Sequence, residues 1–165
     1  MQISIEQLEK LLKPAVEQEL MHLCEIRLSG NFGEPLIQLF VDYETRNITI
    51  ADCVGLTRVV KEILDNTPEL VDYRLEISSP GIESPLTQLW QFKKNIGKFV
   101  RMQRGLTTIE GTITAVSDGG MVTLNQSDGL REYTLDEIAG IKVVLLIFAQ
   151  PNKKQKRKRN EKRGR

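Results

Sequence analysis

Leu75-Glu76-Ile77-Ser78-Ser79-Pro80-Gly81-Ile82-Glu83-Ser84-Pro85-Leu86 is the stretch on which the organisation of this 165-residue chain turns. Its first half alternates, with Tyr73, Leu75 and Ile77 on one side and Arg74, Glu76 and Ser78 on the other, the period of a half-buried strand. Ser79-Pro80-Gly81 then stops the strand with the residues a tight turn prefers: proline presets φ at the first central position, and glycine is free to take φ > 0 at the second. Pro85 follows at once. The stretch therefore reads as a junction, with residues 1–85 as one domain, 86–150 as a second and 151–165 as a tail.

Upstream of the junction, Ser4 with Gln7 forms a capping-box pattern, and Ile5, Leu8, Leu11, Leu12, Ala15 and Val16 recur at helical spacing. This predicts an amphipathic helix from about residue 5 to 20, with a weak turn or kink at Pro14, which removes one hydrogen bond. Leu23 to Ser29 alternates, placing Cys24, Ile26 and Leu28 on one face; Gly30-Asn31-Phe32-Gly33 turns the chain, and Leu36 to Tyr43 returns antiparallel. Thr49 with Asp52 repeats the capping signal before Cys53, Leu56, Val60, Ile63 and Leu64 line a second helix, which Asn66-Thr67-Pro68 ends. The order helix, strand, strand, helix, strand predicts an α+β domain with two helices on one face of a three-stranded sheet.

Downstream, Leu86 to Ile96 suggests a short helix closed by Gly97. Strands are expected at Phe99 to Gln103, Thr108 to Val116, Met121 to Asn125, Arg131 to Leu135 and Ile141 to Phe148, with Asp118-Gly119-Gly120 as a hairpin turn and Gly111 as a sharp bend. Short strands with turns at this spacing predict a small β-barrel of the SH3 or Sm kind.

Hydrophobic residues make up 40% of the chain and charged residues 27%, enough apolar content for a real core. The net charge of +1 hides a division. Residues 151–165 hold nine basic side chains against Glu161 and carry +8, while residues 1–85 hold seven basic and fifteen acidic ones and carry −8. Nothing beyond Pro151 is apolar, so the tail is expected to be disordered. The N-terminus lacks a basic n-region and an uninterrupted apolar h-region, no apolar run approaches ~20 residues, and Cys24 and Cys53 are the only cysteines. The expectation is a cytoplasmic protein with reduced thiols and no membrane span.

Catalytic constellations are missing. Ser78 and Ser79 lack a GxSxG elbow; His22, the single histidine, reads as a satisfied surface residue; no P-loop or GxGxxG occurs; and neither cysteine has a second ligand at CxxC spacing. Asp42 with Glu44 and Asp136 with Glu137 are carboxylates that nothing in the sequence brings together. No enzyme, cofactor or metal is expected. Binding has better candidates. From Ser84 to Ile109 the chain carries Lys93, Lys94, Lys98, Arg101 and Arg104 without one acid, alongside Trp90, Phe92 and Phe99. The aromatics read as core and the cations as contacts for phosphate. Lys153, Lys154, Lys156, Arg157, Lys158 and Arg159 would anchor RNA whatever its sequence, whereas the acidic first domain would repel RNA and attract a basic protein. A chain offering both surfaces suits a nucleoprotein particle, of which ribosomes are the commonest.

The serine-proline-glycine segment resembles the signature of the RimP family of bacterial ribosome maturation factors, which reads close to L-E-V-S-S-P-G-hydrophobic-acid-R-P-L. Asp42, Thr49, Asp52, Cys53, Arg58, Leu64, Asp65 and Gly97-Lys98 support the resemblance, which covers about residues 5 to 147. It implies a KH-like N-terminal domain, an Sm-like barrel and a non-catalytic role on the immature small ribosomal subunit, through rRNA and a basic ribosomal protein, without a cofactor. Ser78, Ser79, Pro80 and Gly81 would form the family motif or an interdomain hinge. Ser84 stands where the family has arginine, and the basic extension is not a family feature. The reading is a monomeric assembly factor; the alternative is an Sm-type regulator of messenger or small RNA, which would act as a ring.

Overall fold

The computed structural model describes residues 3–31, 34–82 and 84–145. It is α+β, with two sheets, each on its own apolar core. Phe32 and Gly33 of the expected turn, the end of the expected last strand, and the basic tail lie outside the described residues.

In the N-terminal half, α1 (Ile5–Gln18), β1 (His22–Asn31), β2 (Glu34–Asp42), α2 (Ile50–Asp65) and β3 (Arg74–Ser78) follow in the expected order. The Ser4 hydroxyl accepts from the Gln7 amide at 3.2 Å while the Gln7 side chain accepts from Ser4 N at 2.8 Å, which satisfies two orphan donors of α1. The helix runs unbroken through Pro14. The bond that Pro14 cannot donate belongs to the carbonyl of Lys10, on the exposed side of the helix. It ends at Gln18 with Glu19 as its cap, and Leu20 beyond takes φ of 59° and is largely exposed.

β1 and β2 pair antiparallel and β2 and β3 parallel, in the order β1-β2-β3. Ile37, Leu39 and Val41 on β2 are buried beneath Leu8, Leu12 and Val16 of α1 and Leu56, Val60 and Leu64 of α2. The alternation expected in β1 is interrupted: Leu23 pairs with Val41 and Glu25 with Phe40, leaving Cys24 as a bulge. One extra residue lets Leu23 and Ile26 both face the core, which unbroken alternation forbids.

The cap of α2 is a larger network. Thr49 Oγ1 accepts from the Asp52 amide, Thr49 N donates to Asp52 Oδ2 at 2.8 Å, and Arg46 grips both Asp52 oxygens at 2.7 and 2.9 Å. The Arg46 guanidinium also lies 3.6 Å from the centre of the Tyr43 ring. The arginine and Thr49 hold the Asp52 carboxyl well below the usual carboxylate range. A depressed pKa contributes stability that is present above the unfolded value and lost as pH falls through the folded one. Asp52→Asn is therefore expected to lower Tm at neutral pH, with the gap to the native protein closing in acid; melts at several pH values check it.

The C-terminal half comprises α3 (Leu89–Lys94), β4 (Phe99–Arg104), β5 (Thr107–Val116), β6 (Met121–Gln126), β7 (Gly129–Thr134), α4 (Leu135–Ile138) and β8 (Lys142–Val143). Phe92, Val100, Ile113, Val122, Leu124, Ile138 and Ile141 are fully buried in its core. The closed barrel expected from the sequence is not formed by the described residues. Instead the sheet is open, in the order β7-β6-β5-β4-β8. β8 has two residues, paired with Val100 and Arg101 of β4, and among the described residues it has no pairing to β7. Arg131 to Leu135 is also not all strand: Thr134 caps α4, with its amide donating to Glu137 Oε2 at 2.7 Å. No helix of the described residues is long and apolar enough to cross a membrane.

Candidate functional site

Ser78 ends β3 opposite Phe40, and Ser79, Pro80 and Gly81 line a cleft of ≈ 270 Å³ between the two halves. Gly81 does not take the positive φ expected of it. The turn forms two residues later, with the Ser84 amide donating to the Gly81 carbonyl at 2.9 Å, so Gly81 opens a turn instead of filling its centre. Pro80 is half-buried in the cleft wall.

The five cations of the expected contact surface divide into two groups. Lys94 points into the seam between the halves, and its ammonium donates to Asp42 Oδ2 at 2.7 Å, the Tyr43 carbonyl at 2.8 Å and the Arg46 carbonyl at 2.9 Å. Lys93, Lys98, Arg101 and Arg104 are exposed. Lys93 pairs with Asp118, Arg101 with Glu110 at 2.6 Å, and Arg104 donates to the Glu137 carbonyl at 3.2 Å. Exposed pairs of this kind are worth little and yield to a competing anion. Lys98 has no ion pair among the described residues.

Strand pairing adds a cation that lies outside the acid-free run of the sequence. Lys142 on β8 sits directly opposite Arg101 on β4, exposed and without an ion pair among the described residues. Together they line a groove whose apolar wall includes Ile82, Met102, Val143 and Leu145. Arg101 and Lys142 thus form a basic pair across β4 and β8, whereas Lys98, just before β4, lines the cleft of Pro80 and Lys94. In the sequence Lys142 is a single cation next to Ile141, and only the strand register tells which residue it faces.

Of the aromatics, Phe92 is core as expected, and Phe99 is half-buried with the Arg101 guanidinium 5.9 Å from its centre. Trp90 instead stacks on His22, ring centres 4.4 Å apart and planes at 14°, while His22 Nε2 lies 3.5 Å from Glu44 Oε2. Asp42 and Glu44 are thereby drawn to different partners and do not form an acid–base pair.

Cys24 lies beside this seam. Burial, and then the negative charge of Asp42, push its thiol up to about 12. A thiol so held is a poor nucleophile. In the native protein at pH 8, iodoacetamide is expected to leave Cys24 unmodified and to modify it on unfolding in urea; peptide mass mapping of the alkylated protein checks this. Because the folded pKa is raised, the associated stability is complete below the unfolded value and falls as pH rises towards the folded one.

Residues 11–83 match the family model of the RimP N-terminal domain. The resemblance carried by the motif is borne out over that span, which takes in α1 from its second turn, both antiparallel strands, α2, β3 and the serine-proline-glycine segment.

Proposed function

Since the chain carries the N-terminal domain of the RimP family, we propose that it is a non-catalytic factor for maturation of the small ribosomal subunit. That domain match is the observation that carries the reading. Contacts are shared between two domains, residues 1–85 and 86–150. Arg101 and Lys142 in their groove, together with the exposed Lys93, Lys98 and Arg104, meet rRNA phosphates, and the apolar wall of the groove excludes water from the contact. The acidic N-terminal half, at −8, suits a basic ribosomal protein. Lys153 to Arg159 add an unspecific anchor. Binding favours one local arrangement of the immature particle through differential affinity, and release follows when the mature contacts form. No bond is made or broken.

Sedimentation with free small subunits, whole ribosomes and unrelated structured RNA tests this. Retention on free small subunits alone at moderate salt is expected; equal binding to all three that vanishes with salt would overturn it. Deleting residues 152–165 is expected to flatten the dependence of binding on salt, and an unchanged slope would remove the tail from the mechanism.

One observation favours the Sm-type alternative. The outer edge of β7 has no strand partner among the described residues, as a ring-forming subunit would require. Sedimentation equilibrium separates the two: a monomer supports the assembly factor, and a hexamer or heptamer the ring.

A further inference from the structure

Three oxygens from one short stretch, Asp42 to Arg46, converge on the ammonium of Lys94, which lies about 50 residues further along the chain. An ammonium has three protons, and here each has an acceptor within 2.9 Å. Lys94 and Asp42 retain only 16% and 19% of their side-chain exposure. Removing either one leaves the other charge desolvated and unpaired, a much larger loss than breaking a surface pair. The socket also selects lysine. Two carbonyls and one carboxylate oxygen fit a compact point charge with three rotatable donors, whereas a planar guanidinium fork cannot reach all three.

Trp90 sits one helical turn before Lys94 on α3, so both side chains leave the same face. The tryptophan lies flat on His22 at the start of β1, and the lysine reaches the end of β2. One short helix of the C-terminal half thus grips two strands of the N-terminal half. The connecting chain is held as well: Pro80 and Pro85 restrict its backbone, the Leu86 amide donates to the Ile141 carbonyl at 2.8 Å, and the Gly140 amide donates to the Leu86 carbonyl at 2.7 Å.

We infer that α3 locks the two halves into one rigid body with Lys94 as its bolt, and that the connection at Pro80 and Pro85 is a restrained tether, not a hinge about which the halves swing. The lock fixes the acidic face of one half relative to the exposed cations of the other. A particle that engages both then meets a preformed surface and does not bear the entropy of orienting two independent bodies.

Backbone ¹⁵N relaxation of the full-length protein tests the lock without any ribosome, so its failure is separate from failure of the assembly reading. The native protein is expected to show one rotational correlation time across residues 3–82 and 84–145. In Lys94→Met both halves keep their native chemical shifts away from the seam, but the correlation time of each falls by roughly half as they tumble separately. Lys94→Arg is expected to behave like Lys94→Met, and Asp42→Asn, which leaves both carbonyl acceptors in place, to fall between. Two different correlation times in the native protein would overturn the inference, as would a Lys94→Met protein that still tumbles as one body. If Lys94→Met unfolds either half, the native protein's relaxation and that of Asp42→Asn decide.

Discussion

Gly111→Val melts roughly 10 °C below the native protein, the expected result of placing a side chain where β5 and β6 have no room for one. Gly111 is buried in β5 opposite Val100, and a Cβ built on it meets the Asn125 carbonyl oxygen at 2.7 Å and carbon at 3.2 Å. The obstacle is backbone, and this backbone is committed: Asn125 pairs with Thr112 on one side and Leu130 on the other. β6 cannot retreat without loosening both neighbours. Overpacking of this kind costs about 2–3 kcal/mol, and a branched residue lies at the upper end because its methyls add to the clash of Cβ itself. Gly111→Ala should show the same effect at smaller size. Thermal melts followed by circular dichroism check both, and a valine variant with the native Tm would mean that the two strands can separate freely here.

Lys98→Glu combined with Lys142→Glu is expected to weaken binding to free small subunits by at least about a hundredfold at roughly 0.1 M salt, because removing each cation from its phosphate costs about a factor of ten there. These two are chosen because neither has an ion pair among the described residues, so their charges are available to an incoming phosphate without first breaking an existing bond. They are also exposed, one just before β4 and one on β8, so the fold should survive their reversal. The discriminating readout is the salt slope, which should decrease by about two ions. Lys93→Glu, at a position tied to Asp118, should have a smaller effect. Undiminished affinity with an unchanged slope would move the rRNA interface off β4 and β8.

How much of this molecule can be read from residues alone depends on whether the determining interaction is local. Ser4 with Gln7 and Thr49 with Asp52 announce both long helices because a capping box closes within four residues. Asp118-Gly119-Gly120 announces the β5–β6 hairpin, where Gly120 takes φ of 84°, and Gly97 follows α3 at 88°. Thr134 with Glu137 carries the same box, but the alternation of the strand before it runs on into Leu135 and hides the start of α4. The bulge at Cys24 is illegible for a different reason: an inserted residue shifts the apolar face, and only the position of Val41 on the partner strand shows that the shift has occurred. Closure of the second sheet depends on a final strand of which two residues are paired. The site follows the same division. Its cations are visible as a run without acids, but burial and pairing sort that run into one lysine bound across the seam and four exposed cations. Lys94 and Lys98 are equally basic on paper; one meets three oxygens of the other half, and the other meets no carboxylate among the described residues.

Trp90 is the sole tryptophan of the chain, and its indole lies against His22 across the seam. The molecule consequently carries its own optical gauge at the place where its two halves meet. Light absorbed at the red edge of the protein spectrum is re-emitted from that one point, and its colour and intensity depend on whether imidazole or water faces the ring. Mixing the unlabelled protein with urea in a stopped-flow cell would report opening of the seam as it occurs, without a dye, a cysteine substitution or any change to the surface.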